Sequence, residues 1–259
     1  DKSFFEEKVG ENGVVVTTAQ ELRDAVNSGK ETICVYGTID YFNETLALKE
    51  GQKLVGTEYF SGYTGAKRFS QLNMTKSISI GKDNLISDID INSSLSAGYA
   101  ISAFDDCTIN NLDLNSTCSG TGFSAGIMIQ GAGQTLTLTG KVNINHQCQT
   151  GCGIYVFNGA VVNSSADLTT TSQSYGGIYV NASSATFNAI KGRIDTNGLR
   201  VDTGIFNLSQ SGELNLLGNI EFANSNLNIS GRLDILNNTP LNVFIFSVIN
   251  QIAVDIVYI

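Results

Sequence analysis

Few residues in this chain have the types and spacing needed for chemistry. Asp105-Asp106 is the one paired carboxylate in the repeated middle of the sequence. Two adjacent carboxyls can act as acid and base or hold calcium. The competing reading, and the one expected here, is a turn between strands, where Asp side chains bond nearby backbone amides. The single histidine, His146, lies in the polar run Asn-His-Gln-Cys-Gln-Thr, which reads as an exposed loop. Cys148 and Cys152 are not spaced as C-x-x-C, and one histidine leaves a zinc site short of ligands, so no metal site is expected. A disulfide is the better reading for one cysteine pair. Cys118 follows Gly98 by 20 residues and Cys148 follows Gly126 by 22, which places them similarly in successive repeats; Cys152 is the alternative partner. Cys34 and Cys107 stand in strand-like contexts and read as small buried residues. Tyr155 and Tyr179 each stand two residues after a repeat glycine. Stacked tyrosines form either a sugar-binding platform or a ladder that only stabilises the fold.

The elements that must position these groups announce themselves by repetition. A Gly or Asn precedes a short apolar strand at Gly98-Tyr-Ala-Ile, Gly126-Ile-Met-Ile, Gly153-Ile-Tyr-Val, Gly177-Ile-Tyr-Val, Gly198-Leu-Arg-Val and Asn219-Ile-Glu-Phe. The intervals are 28, 27, 24, 21 and 21 residues. Between them lie alternating segments such as Thr135-Leu-Thr-Leu-Thr and Asn226-Leu-Asn-Ile. That alternation puts aliphatic residues on one face and Asn, Thr and Asp on the other. One such repeat cannot bury its inner face alone; stacked repeats about 4.8 Å apart can. The expected fold is all-β: a single right-handed parallel β-helix over residues 1–259. Residues 1–57 form an N-terminal cap and first coil, 58–240 the coils, and 241–259 terminal strands or a second cap. An antiparallel sandwich is the rival, but it needs no fixed period.

Composition narrows the function classes. Charged residues make up 15% of the chain, against roughly 25% in average domains. Net charge is −9, and ten of the fifteen Lys and Arg fall within residues 1–82. This disfavours nucleic acid, whose phosphates demand clustered cations, and anionic membrane surfaces. No run approaches 18 apolar residues, so no membrane span is expected. The acidic start, with no visible signal peptide, reads as a mature or trimmed terminus. Nine Asn-x-Ser/Thr sequons occur, at Asn43, Asn73, Asn92, Asn115, Asn163, Asn181, Asn207, Asn228 and Asn237; they matter only in a eukaryotic secretory pathway. The Thr-rich alternation does not extend past residue 185, so an ice-binding row is not expected.

The N-terminal part differs. Thr18-Ala-Gln-Glu21 fits a capping box, and Leu22, Ala25 and Val26 follow at helical spacing. A short amphipathic helix there would lid the open core. The runs Thr18-Ala-Gln-Glu-Leu-Arg-Asp-Ala-Val, Thr32-Ile-Cys-Val-Tyr-Gly-Thr-Ile-Asp and Leu46-Ala-Leu-Lys-Glu-Gly-Gln-Lys-Leu-Val-Gly56 resemble the opening of pectate-lyase-like β-helix proteins. The likeness covers about residues 14–57 and concerns the fold. It implies, as one possibility, a polysaccharide lyase or glycoside hydrolase. The Gly-His-Gly and Arg-x-Lys of family hydrolases are missing; Lys191-Gly-Arg193 runs in reverse. A family lyase would use an Arg or Lys base and calcium held by aspartates, for which Arg193, Arg200 and Lys191 with Asp195 and Asp202 are the candidates. Surface charge pairing is the plainer reading of all five.

Scarce catalytic residue types favour a non-enzymatic protein, secreted or on the cell surface. It would act in adhesion, self-assembly or glycan binding, with carbohydrate or other copies of itself as partners and no cofactor. The apolar run Val243-Phe-Ile-Phe-Ser-Val-Ile and residues 252–259 would cap the last repeat or pair with another copy.

Overall fold

The computed structural model describes residues 1–62 and 67–235 in full, and the backbone of three later strands, Leu241–Val243, Val248–Ile252 and Ile256–Tyr258. The side chains of the apolar C-terminal run, and the sequon at Asn237, lie outside the described residues.

Every strand pairing among the described residues is parallel, which excludes the sandwich. One column runs the length of the chain. Gly13 pairs with Thr32, Thr32 with Lys53, Lys53 with Leu85, Leu85 with Thr108, Thr108 with Thr137, Thr137 with Asn163, and Asn163 with Asn188. Asn207 pairs with Asn228, and Asn228 with Asn250. Each strand thus meets its counterpart one repeat later, as the sequence intervals require. Alternation decides what faces inward: Ile109, Leu114, Leu136, Leu138, Val162, Phe187, Phe206 and Leu214 are all buried in one core cluster that extends from Val16 to Ile235.

The expected helix is Ala19–Asn27, with Leu22, Ala25 and Val26 buried in that core. The Thr18 hydroxyl accepts from the Glu21 amide at 3.1 Å, and the Glu21 carboxylate accepts from the Thr17 amide at 3.0 Å. A second helix, Lys2–Lys8, escaped the sequence reading. It buries no residue fully, but Phe5 and Val9 pack on an outer cluster around Val15, Cys34 and Val55. Among the described residues no helix is long and apolar enough to cross a membrane.

The repeat glycines need one correction. Gly126, Gly153 and Gly177 share a column, since Ile127, Ile154 and Ile178 are register partners. Gly98 is two residues out of step and pairs with Ser124. The two kinds of glycine do different work. Gly98 has φ +87° with open space around it, a turn conformation. A Cβ on Gly177 would meet the Thr170 and Thr196 hydroxyls at 2.1 Å. Spacing alone does not separate these roles.

Polar stacking accompanies the apolar stacking. The Asn188 amide donates to the Asn163 side-chain oxygen at 2.9 Å, Asn207 to Asn188 at 2.8 Å, and Asn228 to Asn207 at 2.6 Å. Nearby, Phe187 and Phe206 stack inside the core with centroids 5.4 Å apart and planes at 12°. Phe206→Ala should lower unfolding free energy by about 3–5 kcal/mol, while Ile190→Ala, at an exposed site, should change it by less than about 0.5 kcal/mol. Asn207→Ala, which leaves two ladder groups unpaired, should cost about 1–2 kcal/mol. Urea unfolding of the three variants checks the order; equal losses would contradict this packing.

Candidate ligand-binding face

The strands Gly98–Ala103, Ser124–Gln130 and Gly151–Phe157, with the start of the run Ile178–Ala223, carry an aromatic cluster on their outer side. Its column is Met128, Tyr155, Tyr179, each the register partner of the last. The two tyrosines are neighbours as expected, with centroids 5.3 Å apart and planes at 52°. They are not bare: each is 7% exposed. Phe123 meets Tyr155 edge-on at 4.9 Å, and Tyr175 stacks on Tyr179 at 5.6 Å and 8°. Burial pushes the Tyr155 phenol up to about 12, and its oxygen accepts from the Asn181 amide at 3.1 Å. Burial keeps that phenol protonated, against the Asn181 bond, which by itself favours the phenolate. Solvent instead reaches the half-buried Tyr99, Phe123, Phe157 and Tyr175.

Arg200 continues this face. Its guanidinium carbon lies 5.0 Å from the ring centres of both Tyr175 and Tyr179, and Nη1 lies 3.7 Å from Glu221 Oε2. A cleft of about 610 Å³ opens here, lined by Tyr175, Arg200, Glu221, Asn197, Asn219 and Gln173 among others. Gly176, Gly198 and Gly218 keep its floor low. The result is one aromatic face, one cation–carboxylate pair and several amides around an open depression. Such a set can stack on a flat apolar surface and hydrogen-bond hydroxyls at its edges.

The other candidates do not converge on this cleft. Asp105 and Asp106 form a turn: the Asp105 carboxylate accepts from the Asp106 amide at 2.7 Å, and Asp106 accepts from the Thr135 amide at 2.8 Å. Arg193 pairs with Asp195 at 3.1 Å and Glu213 at 3.4 Å, and its amide donates to Asp167 at 3.0 Å. It belongs to a column of alternating charge, Lys141, Asp167, Arg193, Glu213, Arg232. Asp195 stands in the column after Asn143 and Thr169, and Lys191 is exposed. The Asp202 carboxylate accepts from the Thr203 hydroxyl at 3.3 Å.

Two centres were missed by sequence reasoning. Arg68 is buried and holds Asp90 at 2.9 Å, Asp113 at 2.7 Å and Glu58 at 3.4 Å. Asp90 and Asp113 are register partners, so their charges would repel without that guanidinium. Burial pushes the Glu58 and Asp90 carboxyls up. The signal was Ile89-Asp90-Ile91 recurring as Leu112-Asp113-Leu114.

The second is His146, which is fully buried, contrary to the exposed-loop expectation. Its strand runs Thr135–Gln147, and inward positions fall at Val142, Ile144 and His146. Polar neighbours masked that alternation. The disulfide joins Cys118 to Cys148 beside it; Cys152 is a free buried thiol in the aromatic cluster, and Cys34 and Cys107 are buried thiols as expected. Ser116 Oγ lies 2.6 Å from His146 Nδ1, and Ser124 Oγ lies 2.7 Å from Nε2. Ser124 donates its one hydroxyl proton to the Thr150 carbonyl at 2.9 Å. It must therefore accept from Nε2–H, which leaves Nδ1 unprotonated and accepting from Ser116.

No family model, curated protein or solved structure matches this chain.

Burial pushes the His146 pKa down to about 4, from an unfolded value of 6.5. The folded state then binds fewer protons, so this residue's contribution to stability is complete above pH 6.5 and is lost as pH falls toward 4. The loss should reach on the order of 3 kcal/mol. Urea unfolding of wild type and His146→Gln from pH 7 to pH 4 tests it. The wild-type advantage should shrink with acid; parallel profiles would refute the assignment.

Proposed function

We propose that this chain is an exported, non-enzymatic protein that binds glycan in the cleft between Tyr175, Arg200 and Glu221. Its parallel strands are read here as one right-handed β-helix over residues 1–259, of the pectate-lyase-like kind that the N-terminal runs resemble. The observation that carries the reading is the cleft itself: an aromatic face held by Tyr179 and Phe123, beside a guanidinium and side-chain amides. Sugar rings offer one apolar face and a rim of hydroxyls, and this lining matches both. The disulfide supports export, since such bonds persist in oxidising compartments. The lyase or hydrolase alternative has less support. Asp105 and Asp106 cap a turn, and Arg193 is held by two carboxylates away from the tyrosines.

Calorimetric titration with a panel of neutral and uronate oligosaccharides should reveal saturable binding. Tyr175→Ala should weaken it roughly tenfold, and Arg200→Gln should weaken it as well. Asp106→Ala should leave it unchanged. Reducing-sugar and unsaturated-product assays on the same panel should stay at background. Turnover abolished by Asp106→Ala would establish the enzyme instead, and binding indifferent to Tyr175 would remove the cleft from the account.

A further inference from the structure

The corner that holds His146 combines three soft or borderline donors. The ligand atoms of Cys118, His146 and Cys148 all lie within 4.8 Å of one another, and Cys148 Sγ is 3.8 Å from His146 Nδ1. Nδ1 is the unprotonated ring nitrogen, by the hydrogen-bond chain through Ser124 and Thr150, and its lone pair accepts from Ser116. In the oxidised protein the sulfurs are bonded to each other and take no metal. Only the thiolate is a ligand. Cys148 and His146 are buried, but Cys118 is half-buried and borders an open groove of about 450 Å³, lined by Ser94, Ser96, Thr117 and Ser119.

We propose that reduction of the Cys118–Cys148 disulfide by a dithiol converts this corner into a binding site for one Cu(I) ion. A thiolate of the dithiol attacks Cys118 Sγ from the groove, the S–S bond breaks, and Cys148 leaves as thiolate. The second thiol of the reductant then displaces Cys118, so the dithiol ends as a disulfide and two electrons pass to the protein. Cu(I) binds both thiolates, whose protons are released, and Nδ1 supplies the third donor. Three donors in a dry corner suit Cu(I), which is satisfied by few soft ligands, whereas structural zinc takes four. Ser116 gives up its bond to Nδ1 when the metal enters.

The test uses the whole chain, oxidised or reduced with dithiothreitol and desalted without oxygen, titrated with Cu(I) from a bicinchoninate complex. Cys34, Cys107 and Cys152 stay in every variant and set the background. The reduced protein should take up one equivalent above that background and the oxidised protein none. A Cys118→Ser/Cys148→Ser double variant should bind none, and His146→Gln should bind at least tenfold more weakly. Ser116→Ala, which unburdens Nδ1, should bind at least as tightly as wild type. Circular dichroism monitors the fold throughout. Equal uptake by the oxidised and reduced forms, uptake surviving in the double variant, no effect of His146→Gln, or loss of the fold on reduction would each overturn the proposal.

Discussion

Parallel stacking at a short, fixed spacing is the constraint on which the rest of this molecule depends. It sets each side chain directly over its counterpart one repeat away, about 4.8 Å distant along the hydrogen bonds. Every column therefore has to tolerate its own kind. Aliphatic columns do so by burial, and Phe187 and Phe206 do so by stacking flat. Asparagine columns do so because an amide both donates and accepts, so Asn163, Asn188, Asn207 and Asn228 chain together. Charges cannot. They either alternate in sign, as from Lys141 to Arg232, or are neutralised from the side, as Asp90 and Asp113 are by Arg68. The low charge and high Asn and Thr content of the sequence follow from this rule.

The same rule decides how much could be read without coordinates. Periods of 27 and 24 residues survive as true stacking registers, because close packing admits only glycine at Gly126, Gly153 and Gly177. The capping helix and the Cys118–Cys148 pair were legible for local reasons: a hydrogen-bonding signature in one case and equivalent positions in neighbouring repeats in the other. What was not legible depends on residues far apart in sequence. Arg68 meets Asp113 across 45 positions, and no spacing announces it. His146 was misplaced because its surroundings are polar while its own position is inward. The cleft was half visible. Tyr179 and Arg200 were both singled out, but their juxtaposition with Tyr175 comes from the segment before Gly177, which folds over the strand face.

The interior is not uniformly apolar. Ser93, Ser116, His146 and Ser172 form one buried column by register. Ser172 donates to the Gly151 carbonyl at 2.6 Å, and His146 is satisfied at both nitrogens. Groups satisfied in this way cost little net energy, while one left unpaired, as Ser93 Oγ is, is expensive. This corner therefore tolerates little substitution, and it lies beside the only cross-link among the described residues.

The amide ladders also bear on covalent decoration. An N-linked sugar attaches to the side-chain nitrogen of asparagine. In Asn73, Asn92, Asn181, Asn207 and Asn228 that nitrogen is already turned toward a partner in a neighbouring repeat. A sugar joined there would compete with that bond between repeats. Asn43, exposed in a left-handed turn with φ 66°, carries no such obligation. Folding thus engages five of the nine acceptor motifs and leaves Asn43 open just past the strand Thr38–Tyr41.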